Sequence, residues 1–95
     1  MDRPVYEVRH NAEQSRFECT VEQHLCVADY RLAGKTLRMT HTGVHPSLQG
    51  RGIAAALVRS ALAFAQAQGL TVDPACSYVQ VYMQRHPETH ALLAS

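Results

Sequence analysis

Apolar and polar positions alternate with one period in the first half of the chain and with another in the second. The first half runs in steps of two. Arg16-Phe17-Glu18-Cys19-Thr20-Val21 places Phe17, Cys19 and Val21 on one face, the pattern of a half-buried strand. His24 to Leu32 repeats it, with Cys26, Ala28, Tyr30 and Leu32 sharing a face. A less regular run, Val5 to Asn11, precedes both and gives way to the turn-forming Asn11-Ala12-Glu13-Gln14-Ser15. Ala33-Gly34-Lys35 predicts a hairpin turn. The β-branched stretch Thr36 to Val44 predicts a fourth strand, which His45-Pro46 ends because proline has no N–H for the ladder.

After the glycines at 50 and 52 the period becomes helical. Arg51 to Gln68 contains no proline and many alanines, a composition with high helix propensity. Ile53, Leu57, Ala61 and Phe64 fall on one face, and Val58, Leu62 and Ala65 widen the stripe. Gly69 suits a helix C-cap. Leu70-Thr71-Val72-Asp73-Pro74 reads as a short strand stopped by proline. Ser77 to Gln84 reads as a helix with Tyr78, Val79, Tyr82 and Met83 facing inward, and a further helical turn follows Pro87. The predicted order is β-β-β-β-α-β-α. An antiparallel meander leads into a βαβ unit whose crossover helix covers one face of a mixed sheet, an α/β (α+β) architecture.

Composition narrows the function classes. The chain has 95 residues, of which 46% are hydrophobic, and a net charge of +1. It is read as one domain, residues 1–95. Scattered basic residues and a near-neutral balance argue against a nucleic-acid partner, which calls for a basic stripe. The three cysteines, Cys19, Cys26 and Cys76, are widely spaced with no CxxC pair. That is neither a disulfide framework nor a zinc finger. No apolar run reaches the ~18 residues of a membrane helix, so no membrane partner is expected. Met1-Asp2-Arg3-Pro4 lacks the apolar stretch of a signal peptide, and a reducing cytoplasm is the expected location.

The candidate chemistry lies where the period changes. Leu48-Gln49-Gly50-Arg51-Gly52-Ile53-Ala54 joins the fourth strand to the long helix. The first N–H groups of a helix have no intrahelical partner and carry the positive end of its dipole. Two glycines at that point let an anion approach the backbone, and phosphate suits such a site. Arg51 is placed to add a charge-assisted contact. The dinucleotide fingerprint GxGxxG and the nucleotide loop GxxxxGK[ST] are both absent.

Gln49-Gly50-Arg51-Gly52-Ile53-Ala54 resembles the Q/R-x-x-G-x-G/A motif with which the GNAT acetyltransferase superfamily holds acyl-CoA. His41-Thr42-Gly43-Val44, Pro74-Ala75-Cys76-Ser77-Tyr78-Val79 and Arg85-His86-Pro87-Glu88 extend the resemblance, in order and spacing, to a group of very small GNAT domains. It covers about Arg16 to Glu88. The resemblance implies that the fourth and fifth strands splay apart and that pantetheine lies between them on main-chain groups near Thr42 and Val44. It implies a pyrophosphate on Gln49, Gly50, Arg51, Gly52, Ile53 and Ala54. Acetyl-CoA or coenzyme A is then the cofactor, and the acceptor of the acetyl group is an unidentified amine or thiol. Relatives often carry an acidic residue where Gly43 stands, a position suited to a general base. Larger members also have C-terminal strands that shape the acceptor site; none is expected before Ser95, so the resemblance leaves the acceptor half of the site poorly defined. The resemblance therefore implies either an acyl-CoA-dependent N-acetyltransferase or a CoA-binding module without turnover.

Cys76 follows Pro74 at the start of the last predicted helix, where a helix N-terminus lowers a thiol pKa. The resemblance puts it near the acyl thioester, as the catalytic nucleophile or a positioning thiol. A small buried hydrophobe is the alternative. Cys19 and Cys26 read as core. His86-Pro87-Glu88-Thr89-His90 is not HExxH, since proline stands in the glutamate's place, and no metal site is expected. His41, on the strand beside the implied cofactor gap, is either a general base or a sheet histidine. A Tyr82 hydroxyl facing a leaving thiolate is the sharper alternative to core packing.

Overall fold

The structure, a computed structural model, describes residues 6–94. The Met1–Pro4 stretch, Val5 at the expected start of the first strand, and Ser95 lie outside the described residues. Strand β1 (Arg9–Asn11), β2 (Arg16–Val21), β3 (His24–Ala33) and β4 (Thr36–Gly43) form the antiparallel meander, and β5 (Thr71–Pro74) pairs parallel to β4. Helix α1 (Ile53–Gln68) makes the crossover between β4 and β5, and α2 (Ser77–Arg85) follows. Among the described residues no helix is long and apolar enough to cross a membrane.

The alternation in the sequence is cashed in as a single buried face. Phe17, Cys19, Cys26, Ala28, Tyr30, Leu37 and Met39 point into the layer beneath α1, which packs across β2, β3, β4 and β5. From α1, Ile53, Leu57, Val58, Ala61, Leu62 and Ala65 meet them, a 3.6-residue stripe. Phe64 stands at the stripe's edge, T-shaped to Phe17 at 5.8 Å. Leu32, the last but one residue of β3 before the hairpin, is 57% exposed, although its neighbours on that face are buried. On the opposite face the buried Glu18 accepts from Arg9 at 3.1 Å and, more weakly, from Asn11. A pattern reading assigns Glu18 to solvent, because the strand that covers it has no clear period of its own.

Two departures from regularity position everything that follows. In β4, Thr40 has no partner on β3: Asp29 pairs with His41 and Tyr30 with Met39. This is a β-bulge, which bends a strand and increases its twist. Pairing of β4 with β5 stops at the same level, at Met39↔Pro74, since proline cannot continue the ladder. One last bond, from the Cys76 N–H to the Met39 carbonyl at 2.9 Å, ties the strands together. Beyond it they diverge, and the sheet is open between β4 and α2. The far edge of β5 is covered by the C-terminal segment: Val72 bridges Leu93, and the Ala94 N–H donates to the Val72 carbonyl at 2.9 Å.

Candidate functional site

The opening between the diverging strands leads into a cleft of about 470 Å³ lined by Thr42, Val44, Leu48, Gln49, Gly50, Gly52, Ile53, Ala54 and Tyr78. Each part of its wall has a local cause. Leu48 is fully buried in a 3₁₀ turn (Pro46–Leu48), which anchors the loop after β4. His45 caps that turn, its Nδ1 accepting from the Ser47 N–H at 3.1 Å. The Gln49 side-chain amide donates back to the Val44 carbonyl at 3.5 Å. Gly50 and Gly52 both have left-handed backbones, with φ of +84° and +81°, a region that costs other L-residues energy.

Gly52 is the N-cap of α1, and no side chain among the described residues caps this end. The helix begins at Ile53, two residues later than the propensity boundary at Arg51, because the left-handed Gly52 cannot be a helical residue. The first helical bond is Ala56 N–H to Gly52 carbonyl at 3.1 Å. The amides of Ile53, Ala54 and Ala55 therefore lie ahead of the intrahelical ladder, where the dipole is positive. Ideal Cβ atoms on Gly50 and Gly52 meet nothing within 4 Å.

Cys76 occupies the other side of the opening, as the N-cap of α2 in an extended conformation. Its Sγ lies 3.8 Å from the Thr42 hydroxyl. Partial burial pushes the thiol pKa up; the N–H groups of Val79 and Tyr78, with the hydroxyl and main chain of Thr42, pull it down harder, and the net shift is downward. Cys19 is shifted the other way, by burial first and then by Cys26 beside it. Thr42 can face Cys76 because of the bulge: Thr42 is the register partner of the buried Ala28, and His41 pairs with Asp29 on the opposite face.

The sequence that builds this sheet, helix and cleft matches a known family. The model of the GCN5-related N-acetyltransferase domain matches residues 16–92. The chain belongs to that family. Protein NATD1 of Xenopus tropicalis is 30% identical over 88% of this chain and 82% of its own. The Gallus gallus protein of the same name is 33% identical over 85% of this chain and 76% of its own. The human one is 32% identical over 84% and 75%. A GCN5-like protein from Staphylococcus aureus, solved by NMR, superposes with a TM-score of 0.75 over all of this chain and 92% of that one, at 18% identity. That likeness concerns the fold.

Within this GNAT domain the structure gathers Thr42, Val44, Gln49, Gly50, Gly52, Ile53 and Ala54 around one cleft, with Cys76 behind Thr42. The Arg51 guanidinium instead turns to Glu22, at the tip of the β2–β3 hairpin, while the Arg51 carbonyl accepts from the Tyr6 hydroxyl at 2.9 Å. Tyr78, expected inward, is 38% exposed and lines the cleft. Tyr82 is the one that packs away, stacked on His86 at 4.0 Å beside a separate hollow. The i, i+4 spacing of the two tyrosines makes them near-equivalent in sequence; the start of α2 at Ser77 decides which meets the opening.

The histidines of the His86–His90 segment have structural partners. His86 Nδ1 bonds the Tyr82 carbonyl at 2.7 Å and His90 Nε2 bonds the Met83 carbonyl at 2.8 Å. The first serves a carbonyl in the last turn of α2, and the second adds to the His86 N–H that already reaches the Met83 carbonyl at 3.2 Å. His41 is exposed, and its ring fills the space over Gly43, where a Cβ would come within 3.2 Å of Nε2.

Proposed function

We propose that the chain is an acetyl-CoA-dependent acetyltransferase acting as a single acyl-CoA-binding domain in the cytoplasm, where its cysteines stay reduced. The observation that carries this reading is the uncapped N-terminus of α1, fronted by two left-handed glycines and opening into the same cleft as the unpaired edge of β4. The pyrophosphate rests on the amides of Gly50 to Ala55, with Arg51 as a side-chain contact. The pantetheine arm runs along β4 beside Thr42 and Val44, where the ladder to β5 has ended. The thioester then lies near Thr42 and Cys76.

Transfer is nucleophilic substitution at the thioester carbonyl. An amine or thiol acceptor attacks the carbon, the C–S bond breaks, coenzyme A leaves as a thiolate, and the acceptor's proton neutralises it. In the two-step variant the Cys76 thiolate attacks first, acetyl-Cys76 forms as coenzyme A leaves, and the acceptor then takes the acetyl group from sulfur. The lowered pKa of Cys76 supports this variant. The bare Gly43, which offers no carboxylate on β4, supports a second reading: a module that binds coenzyme A without turning it over.

Calorimetric titration with acetyl-CoA, coenzyme A and an unrelated nucleotide tests the binding. Release of coenzyme A in the presence of candidate amines tests turnover. Binding without release selects the module; no binding of either thioester or thiol form removes both readings.

A further inference from the structure

The four ion pairs among the described residues fall into two kinds. Arg9–Glu18, Arg16–Asp29 and Arg38–Asp73 each join register partners on neighbouring strands, as cross-strand pairs commonly do. Arg51–Glu22 joins two turns 29 residues apart. It brings the tip of the β2–β3 hairpin onto the glycine turn that fronts α1. A second contact at the same place stacks His24, the first residue of β3, on His45 with ring centroids 3.8 Å apart.

The hairpin tip is unusual in its own right. Two residues, Glu22 and Gln23, close it between the paired Val21 and His24, and both have left-handed backbones, φ +50° and +70°. Tight hairpins of this kind favour Asn-Gly, and a glutamate there is held against its backbone preference. The Glu22 carboxylate is matched here by the Arg51 guanidinium. The pair nevertheless puts a carboxylate beside a turn whose amides favour an anion.

We propose that Glu22 sets the affinity of the glycine turn for phosphate by competing with it for Arg51: the guanidinium exchanges the Glu22 carboxylate for a phosphate of the ligand. This rests on the acyl-CoA reading above. Both partners are well exposed, at 45% and 60% of their side-chain surface, so the pair is weak and rearranges at little cost. An arginine–phosphate contact is charge-assisted and can be bidentate, and is the stronger of the two. Glu22 thereby keeps the turn from holding its ligand as tightly as its amides and Arg51 together allow, which favours release of coenzyme A after transfer.

The test is a double-mutant cycle read by calorimetric titration with acetyl-CoA. Glu22→Gln removes the competing charge and is expected to tighten binding by roughly two- to fivefold, the range of an exposed ion pair. Arg51→Gln is expected to weaken it. In the Arg51→Gln background, Glu22→Gln is expected to change nothing. Glu22→Asn, too short to reach Arg51 and better suited to a left-handed backbone, repeats the test should Glu22→Gln fold poorly. An equal gain in both backgrounds overturns the exchange, because Glu22 then acts through its field alone. A loss of affinity in Glu22→Gln also overturns it, since Glu22 then positions Arg51. If the parent protein itself binds no acetyl-CoA, the acyl-CoA reading falls first and the inference with it; parent binding with a flat cycle removes the inference alone.

Discussion

Replacing Gly52 by alanine separates the backbone role of this glycine from its place at the ligand. Its φ of +81° is left-handed, where an L-residue costs about 1–2 kcal/mol. The added methyl meets no protein atom within 4 Å, so no clash adds to that figure. For a domain of this size 1 kcal/mol shifts Tm by about 4–8 °C, and a fall of about 4–16 °C is expected in a circular-dichroism melt. Gly34 provides a matched control: its φ is +59°, its Cβ position is also free within 4 Å, and it lies in the turn between β3 and β4. Gly34→Ala should cost a similar amount of stability. The two variants should part in a titration with acetyl-CoA. On the proposed reading the Gly52 methyl would stand between the ligand and the first amides of α1, and losing one charge-assisted hydrogen bond of about 1.5–3 kcal/mol would weaken binding by about tenfold or more. Gly34→Ala should bind as the parent does. The reasoning is refuted if Gly52→Ala folds and binds with unchanged affinity, or if Gly34→Ala loses as much.

Alkylation of Cys76 should outpace that of the buried Cys19 and Cys26, begin at lower pH than for an ordinary cysteine, and slow when coenzyme A is bound; peptide mapping by mass reads all three, and equal rates would reassign Cys76 to the core. Because its folded pKa lies below the unfolded one, Cys76 contributes stability that is fully present above the unfolded pKa and lost as pH falls through the folded one; Cys76→Ala should remove that part of the pH dependence in denaturant melts. Arg51→Ala should weaken binding of coenzyme A, by up to about 1.5–3 kcal/mol where the contact is desolvated and less where it is exposed, measured by calorimetry. Leu57→Ala, at a fully buried position of α1, should cost about 2–5 kcal/mol in chemical denaturation without a specific loss of affinity per folded molecule.

The elements of the fold were legible because each carries one dominant signal. Period two in Arg16–Val21 and His24–Leu32, the alanine-rich stripe from Ile53, and Gly69 at its end each name a structure unaided. The site was legible where a motif is contiguous, as in Gln49 to Ala54. It was not legible where the decisive partner is distant in sequence. Nothing near Arg51 announces Glu22, and the chemistry of a hairpin tip predicts asparagine and glycine there. The choice between Tyr78 and Tyr82 depends on the rotation of α2, which the Cys76–Met39 bond helps to fix. Glu18 sits on the face that alternation gives to solvent, and its burial was not legible because its partners, Arg9 and Asn11, come from a first strand whose period is irregular.

Thr40 carries a consequence for how such a cleft can arise and be lost. Because it is an extra residue in β4, removing it would let His41 follow Met39 directly, and every later side chain of the strand would keep its present face. Thr42 would still point inward and His41 outward; what disappears is the bend. The bend is thus encoded as chain length, a single inserted position, while the end of the ladder is set separately by Pro74. A one-residue deletion at this site should yield a protein that keeps its core yet straightens β4 and narrows the opening, a loss that no survey of point substitutions would sample.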